Sequence, residues 1–149
     1  AQLPVIGKLL INSNSARFAR TLALLHESGT PILTALKNTA ESLSYLPMKA
    51  GVLRALEKVR AGSTLFRALE TQNVLPSMML YMLASGESSG QLSQMLNKAA
   101  DTQEVELDIY TVKIISIFEP IMILLMGGIV LLIVLAILLP IFELNQITL

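Results

Sequence analysis

The sequence predicts an all-α protein: an antiparallel six-helix bundle that continues into one C-terminal transmembrane helix. Three observations carry this. Apolar residues recur at three- and four-residue spacing through the first 113 positions, and nowhere do apolar and polar residues alternate as in a half-buried strand. Gly, Pro and hydroxyl residues punctuate that pattern about once per helix length. Beyond it, Pro120 to Ile141 is a run of 22 residues without a charge.

The elements follow from stripe and punctuation. Phe18, Leu22 and Leu25 form one apolar stripe; Ile32, Leu36, Ala40 and Leu43 a second; Val52, Leu56 and Val59 a third; Leu92, Leu96 and Ala99 continue the pattern. In Ser28-Gly29-Thr30-Pro31, Gly29 suits a helix C′ position, Thr30 an N-cap and Pro31 a first turn. Pro47 and Pro76 can each open a helix, and Ala61-Gly62-Ser63 repeats the glycine stop and serine cap. Gly86 can end a helix, with Ser88 and Gln91 at capping-box spacing for the next. The predicted helices cover about 14–28, 31–44, 47–61, 64–72, 76–86 and 89–113, the last running on into the span, with a short lead-in helix over 3–11. Short connections favour antiparallel neighbours. The expected organisation is a lead-in segment over 1–13 after an upstream span, a helical domain over 14–113, a transmembrane helix with its approach over 114–142, and a tail over 143–149.

The apolar run has the length of a membrane span. At about 1.5 Å per residue its 22 residues reach roughly 33 Å, against a hydrocarbon core of about 30 Å. Residues 121–141 include 15 Leu, Ile or Val, which favour insertion by about 4–9 kcal/mol. A domain of 113 residues could hardly wrap such a helix on all sides. All 11 Lys and Arg lie at or before Lys113; only Lys98 and Lys113 are close enough to the span to orient it, and no basic residue follows it. This bias places the helical domain in the cytoplasm and Glu143–Leu149 on the far side.

Charge and composition exclude several classes of function. Residues 1–113 carry 11 basic and 9 acidic side chains, with no basic stripe for nucleic acid. The chain has no cysteine, which removes disulfides, thiol catalysis and cysteine metal sites. No phosphate loop, Ser/His/Asp set or metal-spaced cluster is present, so neither an enzyme nor a cofactor is expected. His26 is the single histidine and reads as a helix-end or surface residue. Asp101, Glu104 and Asp108 share a helix face, a weak candidate for a hard cation and otherwise a solvated acidic face. Met78, Met79, Met82 and Leu83 make their helix apolar nearly all round, from burial or as a Met-rich partner surface. At the start of the span, Glu119-Pro120 is either an interfacial helix start or a carboxylate that pairs with a neighbouring membrane helix. Gly127-Gly128, inside the span, permits close approach of another helix or marks a bend.

Several strings together resemble the type II secretion system F family, including its type IV pilus branch. They are Ala16-Arg17-Phe18-Ala19-Arg20-Thr21-Leu22, Ser28-Gly29-Thr30-Pro31-Ile32, Ala61-Gly62-Ser63-Thr64-Leu65, Leu75-Pro76 and Ala84-Ser85-Gly86-Glu87-Ser88-Ser89-Gly90. Glu119-Pro120, Met126-Gly127-Gly128-Ile129-Val130 and Leu138-Leu139-Pro140-Ile141-Phe142-Glu143-Leu144-Asn145-Gln146 extend it over nearly the whole chain. Family members usually have two such helical domains and three spans, so the resemblance implies the C-terminal half of a longer protein. It further implies a non-catalytic platform in the bacterial inner membrane, with a periplasmic C-terminus. Its partners would be the secretion ATPase and other inner-membrane components, the pseudopilins, the lipid bilayer and further copies of itself. Glu87, Glu119, Pro120, Gly127 and Gly128 are the candidate interaction residues. The tail from Phe142 to Gln146 is more similar to the secretion branch than to the pilus branch. A tail-anchored protein that holds a partner helix in a groove is the alternative from another class. An intramembrane enzyme would need a second polar residue in the span and ranks last.

Overall fold

The computed structural model describes residues 3–148, with side chains throughout except at Leu3 and Val5. Six α-helices make up the described chain: α1 (Leu3–Glu27), α2 (Ile32–Ser42), α3 (Leu46–Arg60), α4 (Leu65–Glu70), α5 (Ser77–Ser89) and α6 (Leu92–Ile147). The chain divides into two units, Ala1–Asp108 and Ile109–Leu149.

In the first unit each of α1 to α4 packs on the helix that follows it. The apolar stripes close over one core: Phe18, Leu22, Leu36, Met48, Val52, Leu69, Met79, Leu83 and Leu96 are all fully buried or nearly so. Ile32, Leu25 and Val59, from the same stripes, pack against its edge. At about 25 cal/mol per Å² of apolar surface removed from water, this burial is the main force holding the unit together. On α5, Met79 and Leu83 are buried while Met78 is half-exposed, so this helix is buried on one side and not all round.

The turn chemistry is borne out at the helix ends, with corrections. Gly29 (φ 80°), Gly62 (φ 104°) and Gly90 (φ 71°) all adopt the left-handed conformation that lets glycine terminate a helix. After α1 the cap at Pro31 uses no side chain; the Thr30 N–H instead bonds the Leu25 carbonyl at 3.0 Å. Pro47 lies in the first turn of α3, and Pro76 caps α5.

The cap of α4 is Thr64 and not Ser63: the Thr64 hydroxyl accepts from the Arg67 N–H at 3.3 Å. Gly86 does not end α5, which runs on to Ser89, and the Ser88/Gln91 capping box does not form. Ser88 and Ser89 both donate to the Ser85 carbonyl, and the Gln91 N–H bonds the Gly86 carbonyl. Gly86 is buried for another reason: a Cβ there would sit 2.9 Å from the Cα of Leu92, so glycine is what lets the start of α6 lie against α5.

The lead-in helix and the first predicted helix are one element, α1. The two predicted elements leave Asn12 and Ser13 outside any helix, and α1 runs through both. Here Asn14 is buried and its side chain serves a different segment. Its Oδ1 accepts from the Ser44 and Tyr45 N–H groups, each at 3.0 Å, which fixes the turn between α2 and α3, while its Nδ2 donates to the Leu10 carbonyl one turn back.

Candidate membrane span and interaction site

In α6 the two units present different surfaces. Leu92, Leu96, Ala99, Ala100 and Gln103 are buried, and beyond Gln103 no described residue is. Leu124, Leu132 and Leu139 are each more than 60% exposed. The helix is long and apolar enough to cross a membrane. An unburied run of this composition is stable in hydrocarbon, where a helix satisfies its own backbone, and is costly in water.

Glu119 and Pro120 lie inside α6 and do not start a helix. Glu119 is exposed, and Ile114, Ile115 and Phe118 form with it a shallow hollow of about 290 Å³. The Ser116 hydroxyl, three residues before Glu119, is committed to the Lys113 carbonyl at 2.9 Å. The Lys113 ammonium lies 6.0 Å from the centroid of the Tyr110 ring. Within the described residues the Glu119 carboxylate therefore has no cation in reach. Gly127 and Gly128 have open space where a Cβ would stand, so no contact in the described chain requires glycine there.

Glu87 is placed differently from the span residues. Its two carboxylate oxygens accept from the N–H groups of Leu65 at 2.7 Å and Phe66 at 2.9 Å. It therefore caps α4 across the chain, satisfying donors that a six-residue helix cannot satisfy itself, at the end where the helix dipole favours an anion. Sequence reasoning missed this role, since a capping partner 22 residues away has no local signature.

The acidic face of α6 meets a cation that sequence reasoning also missed. Arg20 donates to Asp101 at 2.6 Å, Glu104 at 3.1 Å and Asn97 at 3.0 Å. The bond to Asp101 has the largest effect on the guanidinium and raises its pKa; burial opposes this, and Glu104 adds to it. Two of the three candidate metal ligands are thus engaged by Arg20, and no group of three His, Cys, Asp or Glu among the described residues is arranged to hold a metal. Only half of this contact has a signal in the sequence: Asp101 and Glu104, three residues apart, share a face, but nothing local points to Arg20 on α1. His26 sits in the last turn of α1, with Nδ1 2.7 Å from the Ser93 hydroxyl, which makes it a link between α1 and α6.

Relatives place this architecture. The chain is 46% identical over 145 residues to the type II secretion system protein F of Pseudomonas aeruginosa, covering 97% of this chain and 36% of that protein. It is 46% identical over 144 residues to the protein F of Vibrio cholerae, with 97% and 36% covered. Identity to the type IV pilus assembly protein PilC of Pseudomonas aeruginosa is 32% over 146 residues, covering 98% of this chain and 39% of that one. The chain thus spans a little over a third of the length of these relatives. The family model described as type II secretion system (T2SS), protein F, matches residues 18–140, and the chain belongs to that family.

Proposed function

We propose that this chain is part of an inner-membrane platform of a type II secretion system. In this reading the helical domain over 14–113 is cytoplasmic, α6 crosses the membrane within 114–142, and 143–149 lies in the periplasm. The platform scaffolds the assembly and couples the cytoplasmic secretion ATPase to pseudopilin assembly. It contacts other inner-membrane components and further copies of itself, and it catalyses no reaction and binds no nucleic acid.

The observation that carries the reading is the charge-free stretch of α6, left unburied in a chain so similar to protein F. The margin of 46% over 32% identity favours the secretion branch over pilus assembly. Orientation rests on Lys98 and Lys113, which precede the span with no basic residue after it.

The test uses the absence of cysteine from the chain. Thr148 and Gln94 are both exposed, one on each side of the span. In spheroplasts, a membrane-impermeant maleimide should label Thr148→Cys and leave Gln94→Cys unlabelled. Reversed labelling overturns the orientation, and labelling of both from outside overturns the span. Deleting the gene should stop protein export while leaving pilus-dependent motility intact; the opposite result assigns the chain to pilus assembly.

A further inference from the structure

We propose that the hollow formed by Ile114, Ile115, Phe118 and Glu119 docks a different membrane helix that carries a cationic group, and that Glu119 pairs with that group. The proposal rests on the reading that α6 crosses a membrane.

Depth is the first argument. Between Lys113 and Glu143 lie 29 residues, of which Glu119 alone is charged. They extend about 43 Å, more than the hydrocarbon core requires. Ile114, Ile115, Ile117 and Phe118, on the side of Glu119 nearer Lys113, are half-exposed or more. Apolar surface therefore flanks the carboxylate on both sides, so that at the edge of the hydrocarbon core whatever covers Ile114 to Phe118 also encloses Glu119 in apolar surface. A carboxylate there is costly unless it is paired.

The second argument is a local excess of acceptors. Pro120 has no N–H, so it cannot donate to the Ser116 carbonyl one turn earlier. Ser116 and Glu119, three residues apart, share a face. The Ser116 hydroxyl is already given to the Lys113 carbonyl, and the Lys113 ammonium lies over the Tyr110 ring, 6.0 Å from its centroid. A carboxylate and a freed carbonyl side by side, without a donor, suit an ammonium or guanidinium with several donors. The apolar wall of Ile114, Ile115 and Phe118 suits the aliphatic stem of such a group.

A second copy of this segment does not supply the cation at the right depth. In the same orientation its nearest candidate is Lys113, six residues or about 9 Å closer to the water. The occupant is therefore a different membrane helix, with a Lys, an Arg or an N-terminal ammonium at the depth of Glu119.

The experiment places a photoreactive benzoylphenylalanine at Phe118 of the full-length protein in secreting cells, and maps the crosslinked peptide by mass spectrometry. The expected adduct is a membrane-helix peptide with a Lys, an Arg or an N-terminal amine within one turn of the crosslinked residue. Glu119→Gln keeps the size and removes the charge; it should lower both crosslink and secretion about tenfold at unchanged membrane level. An adduct to phospholipid alone, an adduct to a peptide without a cation, or a wild-type Glu119→Gln variant each overturns the proposal. If Glu119→Gln reaches the membrane poorly, the crosslink map with Glu119 intact decides. Leu124→Cys separates the two readings. If an aqueous maleimide labels it, the span reading fails and takes this proposal with it; if it is protected, the outcomes above bear on the docking alone.

Discussion

Ala1–Asp108 and Ile109–Leu149 are built from similar apolar side chains used in opposite ways. In the first unit nearly every large apolar residue of the helix stripes faces another helix of the same chain. In the second, Leu, Ile and Val face outward all round, and no described residue is buried. The same helix, α6, belongs to both. Up to Gln103 it has one buried face and a charged one; beyond Lys113 it has an apolar surface that no described residue covers. The stability of the first unit is therefore internal, whereas the second depends on what surrounds it.

This contrast is sharpest for large core residues. Phe18→Ala empties a fully buried site and should destabilise the helical domain by about 3–5 kcal/mol. Leu131→Ala, at a site 59% exposed, should leave the domain unchanged. Urea titration of the detergent-solubilised protein, read by pulse proteolysis, compares the two. Equal losses would mean that the units do not differ as described.

Glycine extends the comparison. Gly86→Ala sets a Cβ 2.9 Å from the Leu92 Cα, a backbone atom that cannot swing aside, and should cost about 1–3 kcal/mol. Gly128→Leu meets nothing in the chain and should leave the domain melt unaltered. If Gly127-Gly128 packs against another span, Gly128→Leu should instead reduce secretion at normal membrane level. A variant that secretes normally would leave the glycines as a lipid-facing feature.

Glu87 tests whether a residue singled out for interaction acts within the fold. Glu87→Ala leaves the Leu65 and Phe66 N–H groups without their acceptor and should cost about 1–2 kcal/mol. Amide hydrogen exchange should rise first in α4. If exchange is unchanged while secretion falls, Glu87 acts on a partner and not on α4.

What the sequence revealed follows the range of each interaction. Helices and core were legible because periodicity and the Gly and Pro stops act within a few residues: Phe18 and Leu22, or Gly29 and Pro31, declare themselves. The candidate span was legible because length and composition alone mark a helix apolar enough to cross a membrane. Gly86 was misread, and the roles of Asn14 and Glu87 within the fold were not seen, because each serves a segment elsewhere in the chain. Asn14 fixes the turn at Ser44 and Tyr45; Gly86 reads as a stop yet makes room for Leu92; Glu87 lies in a motif and also caps Leu65 and Phe66. In α6, Glu119 and the glycine pair could be singled out by type, and among the described residues nothing packs where a Cβ of either glycine would stand.

The smallest effect is expected where α1 meets α6 through polar groups. Arg20 holds Asp101 and Glu104, but its side chain is 42% exposed and theirs are 67% and 52% exposed, so water and salt screen both pairs. Exposed pairs of this kind contribute about 0–1 kcal/mol. Arg20→Met keeps much of the aliphatic stem and removes the charge, leaving Asp101 and Glu104 as neighbouring carboxylates that water can solvate. The variant should lose less than about 1 kcal/mol at low salt, and the loss should shrink as salt rises. Denaturant melts of wild type and variant at two salt concentrations measure this directly. A salt-independent loss as large as that of Phe18→Ala would mean that the link is buried in the working protein, with a partner covering this face of α6, and the helical domain would then share the dependence on its surroundings that marks the span.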